Sequence, residues 1–147
     1  MSKTINVITR TSNRPNFFSE CYKSVVNQED DNIVHWCTSD DDDTYKYLSS
    51  YENIRLVQIV RPRRKNKQHF PYNKYLHEVM NLINNDGWII ILDDDDMFHS
   101  KDSIAKLRQV MELHKYNDQE FFIWKTQTPT GKSILSGKKK KKKSFDP

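Results

Sequence analysis

Glycine is nearly missing from this chain, with 3 in 147 residues. A loop that wraps phosphate groups in bare backbone has little material to be made from, so a glycine-rich phosphate loop is excluded. Cysteine is as scarce: Cys21 and Cys37 sit inside apolar patterns, without the paired spacing of a zinc site or a disulfide framework. They read as buried free thiols. No apolar run approaches the roughly 20 residues that cross a bilayer, and the start MSKTINVITR lacks a signal-peptide core. The expectation is a soluble, cytoplasmic chain. A basic face is also lacking, although the net charge is +4: setting the six lysines Lys138–Lys143 against it leaves −2 for the rest. The basic balance belongs to the tail, so specific nucleic-acid binding is not expected of the folded part.

What is present is one domain's length, with 35% apolar and 12% aromatic residues, so the core leans on Phe, Tyr and Trp. The chain is organised around Trp88-Ile89-Ile90-Ile91-Leu92, followed at once by Asp93-Asp94-Asp95-Asp96. The apolar stretch, rich in β-branched residues and introduced by Asp86-Gly87, reads as a strand buried on both faces. Four adjacent carboxylates repel one another and resist burial. Either water surrounds them in an acidic turn before a helix, or a hard divalent cation binds their oxygens.

Along the chain, Thr4–Thr9 reads as a strand, and Arg10–Arg14 as a polar loop with Pro15 placed to open a helix. Phe17, Phe18, Cys21, Tyr22, Val25 and Val26 recur at helical spacing. Asn32–Cys37 is a second strand running into Asp40–Asp43, with a short helix over Thr44–Ser50 capped by Asp43. Asn53–Val60 is a third strand, followed by the basic loop Arg61–Lys67. A helical stripe through Phe70, Tyr75, Leu76, Val79, Met80 and Ile83 precedes the acid-ended strand. Ile104, Leu107 and Met111 mark another helix, and Glu120–Thr126 a fifth strand. Residues 1–136 form a single domain on this reading, and 137–147 a lysine-rich flexible tail.

Strands alternating with helices imply an α/β fold: a mostly parallel sheet with right-handed crossovers and helices on both faces. The loops after the first four strands then share the carboxyl edge, where open α/β sheets bind ligands. Those loops carry Arg10 and Arg14, Asp40–Asp43, Arg61–Lys67 and Asp93–Asp96. Two acidic and two basic clusters at one edge suit a nucleotide diphosphate bound with Mg²⁺ or Mn²⁺. Each cluster also has a plainer reading, as a helix start or a solvated loop. His99 is either a further metal ligand or an exposed residue before a helix.

The opening INVITRTSNRPNFFSECYKSVVNQ resembles the start of family-2 glycosyltransferases of the GT-A (Rossmann-like) fold: a strand, a Thr/Asn/Arg-Pro loop, and a helix ending in Ser-Val-x-x-Gln. The segment PYNKYLHEVM…GWIIILDDDDMF resembles the same family's helix and its Asp-x-Asp (DXD) strand end. The likeness spans residues 4 to about 126, the donor-binding half of such enzymes, and a small virus-encoded member, working in the host-cell cytoplasm, is one form it takes. The resemblance implies that Thr9, Arg10, Thr11 and Arg14 lie near the base and ribose of a UDP-sugar. It implies that Asp40, or Asp41 one register on, meets the base. Asp93 would face ribose and metal, Asp95 would be the principal metal ligand, and Asp94 would lie near the sugar. Of the basic loop, Arg61 or Arg64 would contact the diphosphate.

The chain departs from the pattern after its second strand, where no glycine follows the acids. The downstream acceptor site and catalytic base of the family have no counterpart with a convincing context; Glu120 and Asp146 are the acids that remain, and no base is assigned. The expected activity is metal-dependent sugar transfer to an unidentified glycan or protein acceptor, with slow hydrolysis of the donor. Three rivals are a non-catalytic nucleotide-sugar-binding module, a nucleotidyltransferase, and a basic nucleic-acid binder acting through residues 138–143. Homo-oligomerisation and weak contact of the lysine tail with anionic surfaces are further expectations.

Overall fold

A computed structural model describes residues 3–60, 72–84 and 86–114. Among the described residues eight elements follow one another: β1 (Ile5–Arg10), α1 (Pro15–Val26), β2 (Ile33–Ser39), α2 (Asp42–Leu48), β3 (Ile54–Gln58), α3 (Tyr72–Leu82), β4 (Trp88–Ile91) and α4 (Ser103–His114). The strands form one sheet in the order β3-β2-β1-β4, and every pair is parallel. The expected fold class is found. The reading of Glu120–Thr126 as a strand, and the tail, lie outside the described residues.

Alternation along the strands sorts the core between the two faces. Ile5 and Val7 of β1 and Ile90 of β4 pack with Cys21 and Val25 of α1 and Ile104 of α4. Cys37 of β2 packs on the same face with Phe18 of α1 and Leu48 of α2. The other face receives α3, whose Val79 meets Ile8 and Trp36. Helices therefore cover both faces, but unevenly, and one expectation is corrected. β4 is not buried on both sides: Ile90 is 3% exposed, whereas Ile89 and Ile91 are 41% and 50% exposed. α3 sits over β1 and β2, and β4 comes last in the strand order among the described residues, so its outer apolar face is left uncovered by α3.

Two local details set the carboxyl edge. Pro15 opens α1 at its first turn, and Asn13 before it takes φ 52°, a left-handed conformation that Asn tolerates better than most residues. The second helix begins earlier than expected. Its N-cap is Asp41, not Asp43, because the Asp41 carboxylate accepts the Thr44 N–H at 2.7 Å while Asp42 and Asp43 complement the helix dipole in the first turn. At the far end of α1, Gln28 clamps α4: its amide donates to the Ser24 and Ser100 carbonyls and accepts the Ile104 N–H. No helix among the described residues is long and apolar enough to cross a membrane.

Candidate functional site

The parallel sheet brings the loops after β1, β2 and β4 to one edge. β1 and β4 are adjacent, so the arginines after one meet the acids after the other. The Leu92 N–H bonds the Ile8 carbonyl just beyond the last ladder pair, and the Asp96 N–H closes a turn onto the Asp93 carbonyl. That turn separates the carboxylates by direction. Asp93 and Asp95 point outward, with side chains 53% and 49% exposed, whereas the Asp94 side chain is 5% exposed.

Three of the four carboxylates, Asp93, Asp94 and Asp95, meet partners from the loop after β1. Thr11 Oγ1 donates to Asp94 Oδ2 at 2.7 Å. Arg14 spans two acids: Nη1 lies 2.9 Å from Asp94 Oδ1 and Nη2 lies 2.7 Å from Asp95 Oδ2. Arg10 Nη2 lies 3.3 Å from Asp93 Oδ1. Burial lifts the Asp94 carboxyl above its usual range, and neither the Thr11 hydroxyl nor Arg14 cancels that cost. Asp95 is held below its usual range by the Arg14 hydrogen bond, and Asp96 is raised by burial and its acidic neighbours. The Arg14 pKa rises in turn, chiefly through its bond to Asp95.

The loop after β2 is organised by other means. Asp40 accepts the Tyr75 hydroxyl from α3 at 2.6 Å. Asp41 accepts from Ser12 Oγ at 2.8 Å as well as from Thr44, which ties the loops after β1 and β2 together. Burial raises the Asp41 carboxyl, but these hydrogen bonds outweigh it and hold the group low. Sequence reading had no route to Tyr75 or Ser12, because each acts across the sheet on a residue distant in the chain.

Of the residues expected at this site, Arg10, Thr11, Arg14, Asp40, Asp93, Asp94 and Asp95 are gathered at the edge. Two differ in posture from expectation. Thr9 is fully buried, its hydroxyl 2.9 Å from His35 Nε2 and 3.7 Å from Cys21 Sγ, so it faces the core instead of a ligand. Asp94 faces inward as an anchor for Thr11 and Arg14, leaving its neighbours to face out. Arg61 and Arg64 lie outside the described residues, and His99 is exposed.

The donor set tests whether a divalent cation fits. Asp93 and Asp95 offer hard oxygen donors at the rim, as Mg²⁺ and Mn²⁺ require. Among the described residues, no three His, Cys, Asp or Glu side chains gather into a metal cage. One or two carboxylates, completed by phosphate oxygens and water, is the arrangement in which Mg²⁺ accompanies nucleotides. The residues fit that arrangement.

The family described as Glycosyl transferase family 2 matches residues 6–143. The chain belongs to that family. No curated protein sequence matches it. Among solved structures, a mannosyltransferase, PcManGT from Pyrobaculum calidifontis in complex with GDP-Man and Mn²⁺, is similar to this family-2 chain at 13% identity and TM-score 0.56. S. aureus TarS 1-349 is similar at 16% identity and TM-score 0.60, and its complex with UDP-GlcNAc at 18% and 0.57. Each likeness covers 76% of this chain but only 32–33% of the neighbour, so the chain spans about a third of those proteins' length. At such identities the likeness establishes a shared GT-A fold.

Proposed function

We propose that this chain binds a nucleoside-diphosphate sugar, with UDP as the nucleotide, and transfers the sugar in a metal-dependent reaction. The observation that carries this reading is the pairing of Arg10 and Arg14 with the outward acids of the Asp-x-Asp turn at the carboxyl edge. A departing nucleoside diphosphate accumulates negative charge, and cations aimed at that charge are the main catalytic demand of sugar transfer. Asp93 and Asp95 would hold Mn²⁺ or Mg²⁺, which supplies Lewis-acid stabilisation of the diphosphate. Asp40, whose carboxylate accepts the Tyr75 hydroxyl, would accept an N–H from the base. The neighbours named above include complexes with GDP-Man and Mn²⁺ and with UDP-GlcNAc, which supports a nucleotide sugar as ligand.

Calorimetric titration of UDP with and without Mn²⁺ tests the reading. Binding should require the metal, and Asp95→Ala should abolish it. An Asp95→Ala protein with full metal-dependent binding overturns the assignment. The alternative reading is a module that binds nucleotide sugar but transfers nothing. Donor hydrolysis in the absence of acceptor separates the two. Slow Mn²⁺-dependent release of UDP from UDP-sugar supports the enzyme, and tight binding without release supports the module.

A further inference from the structure

The two arms of Arg14 differ in how firmly they are held. Nη1 meets Asp94, whose side chain is 5% exposed and fixed by the buried Thr11 hydroxyl. Nη2 meets Asp95, whose side chain is 49% exposed, and Arg14 itself is 42% exposed with its guanidinium stacked 4.8 Å over the Phe17 ring. The Asp94 arm is therefore an anchor. The Asp95 arm is an ion pair at the water boundary, of a kind that contributes little by itself and exchanges readily.

The oxygen that Nη2 occupies is one that a divalent cation at Asp95 would take. Metal and guanidinium compete for it. A nucleoside diphosphate arriving alone meets the reverse competition, because Asp95 already holds the guanidinium arm that its phosphate would use. When both arrive, one exchange satisfies everything: Asp95 passes to the metal, and the released arm of Arg14 passes to a phosphate oxygen. The stem stays put, since Asp94 and Phe17 still hold it.

We propose that Arg14 is a built-in counter-ion that a divalent cation displaces from Asp95 and that the nucleoside diphosphate then captures, so that metal and nucleotide bind with positive coupling. The proposal rests on the donor-site reading above, and it assigns Arg14 to the diphosphate instead of to the base and ribose. Coupling of this kind is reciprocal: whatever factor the nucleotide adds to metal affinity, the metal adds to nucleotide affinity.

The test is Mn²⁺ binding by the whole chain, read from the electron-paramagnetic-resonance signal of the free ion, with and without saturating UDP. The comparison is between the native chain and Arg14→Gln. Without UDP, Arg14→Gln should bind Mn²⁺ about threefold more tightly, the worth of a half-exposed ion pair. With UDP the order should reverse, because the phosphate has lost a charged partner, and the factor by which UDP tightens Mn²⁺ should shrink by about tenfold. Equal tightening with and without UDP would mean that Arg14 acts only as a diffuse positive charge, and it overturns the proposal. So does an unchanged Mn²⁺ affinity. Arg14→Lys is the second variant, for the case in which the glutamine protein does not fold. Its single ammonium cannot hold both carboxylates, so the coupling factor should fall while the charge remains, and an undiminished factor counts against the proposal. If the native chain binds Mn²⁺ but never UDP, the donor-site reading itself fails, and that result is distinct from a failure of the exchange.

Discussion

His35 lies in β2 with 2% of its surface exposed, its Nε2 against the Thr9 hydroxyl and its ring stacked near Phe18 and Tyr22. Burial pushes its pKa down to about 4 from the ordinary 6.5. Between those values the unfolded chain carries more protons than the folded one. Stability therefore falls as pH drops through that window, by up to about 3 kcal/mol. Urea denaturation at pH 7 and pH 5 should show the loss, and His35→Gln, which keeps a partner for Thr9 but does not titrate in this range, should remove that part of the slope. At the same scale, Asp95 and Asp94 illustrate opposite electrostatics one residue apart. Arg14 holds Asp95 low, and burial raises Asp94. The run of acids was legible from the chain, but which member turns inward was not. That depends on Thr11, 83 residues away.

Among the elements, α4 is tied to the amino edge of the sheet by a shielded ion pair. Arg108 places Nε at 2.5 Å and Nη2 at 3.0 Å from the two oxygens of Asp30, and donates to the Lys3 and Asn32 carbonyls. The Arg108 hydrogen bond holds Asp30 below its usual range. This contribution is complete above the ordinary carboxylate pKa and is lost as pH falls through the lower folded value. Arg108→Ala should leave Asp30 without its cation and cost about 3 kcal/mol, whereas Asp30→Leu with Arg108→Met should recover most of it. Thermal denaturation of the two proteins checks this. A double variant no more stable than the single one would show that the shape of the pair, not its charge, holds α4. The helices themselves were readable from apolar spacing and from Pro15. The start of α2 was misread by two residues in its cap, because Asp41, Asp42 and Asp43 are chemically equal and only the Ser12 and Ser39 hydroxyls single out Asp41.

For the whole molecule, the charge divides by region: the six lysines at 138–143 reverse the sign of everything before them. The proposed site draws on none of them. Deleting residues 137–147 should leave Mn²⁺-dependent UDP binding unchanged, and salt-sensitive retention on heparin should disappear. Loss of UDP binding in the shortened chain would place part of the site in the tail. The exposed outer face of β4, with Ile89 and Ile91, belongs to this scale too, because it arises from where the strand stands in the sheet order. An apolar run announces a strand but not its neighbours, and this one reads as doubly buried until the order β3-β2-β1-β4 places it last among the described strands.

By itself the sequence determined the alternation of strands and helices, hence the parallel sheet, and hence that the arginines after β1 and the acids after β2 and β4 share an edge. These are properties of local periodicity and chain order, which the residues carry without help. Tertiary structure decided the rest: that Thr9 faces the core, that Asp94 turns inward while Asp93 and Asp95 turn out, and that Arg14 bridges two of them. Those outcomes depend on which side chains a carboxylate meets across the sheet. A run of identical residues carries no local signal to tell its members apart, so only packing against partners far along the chain can assign them different roles.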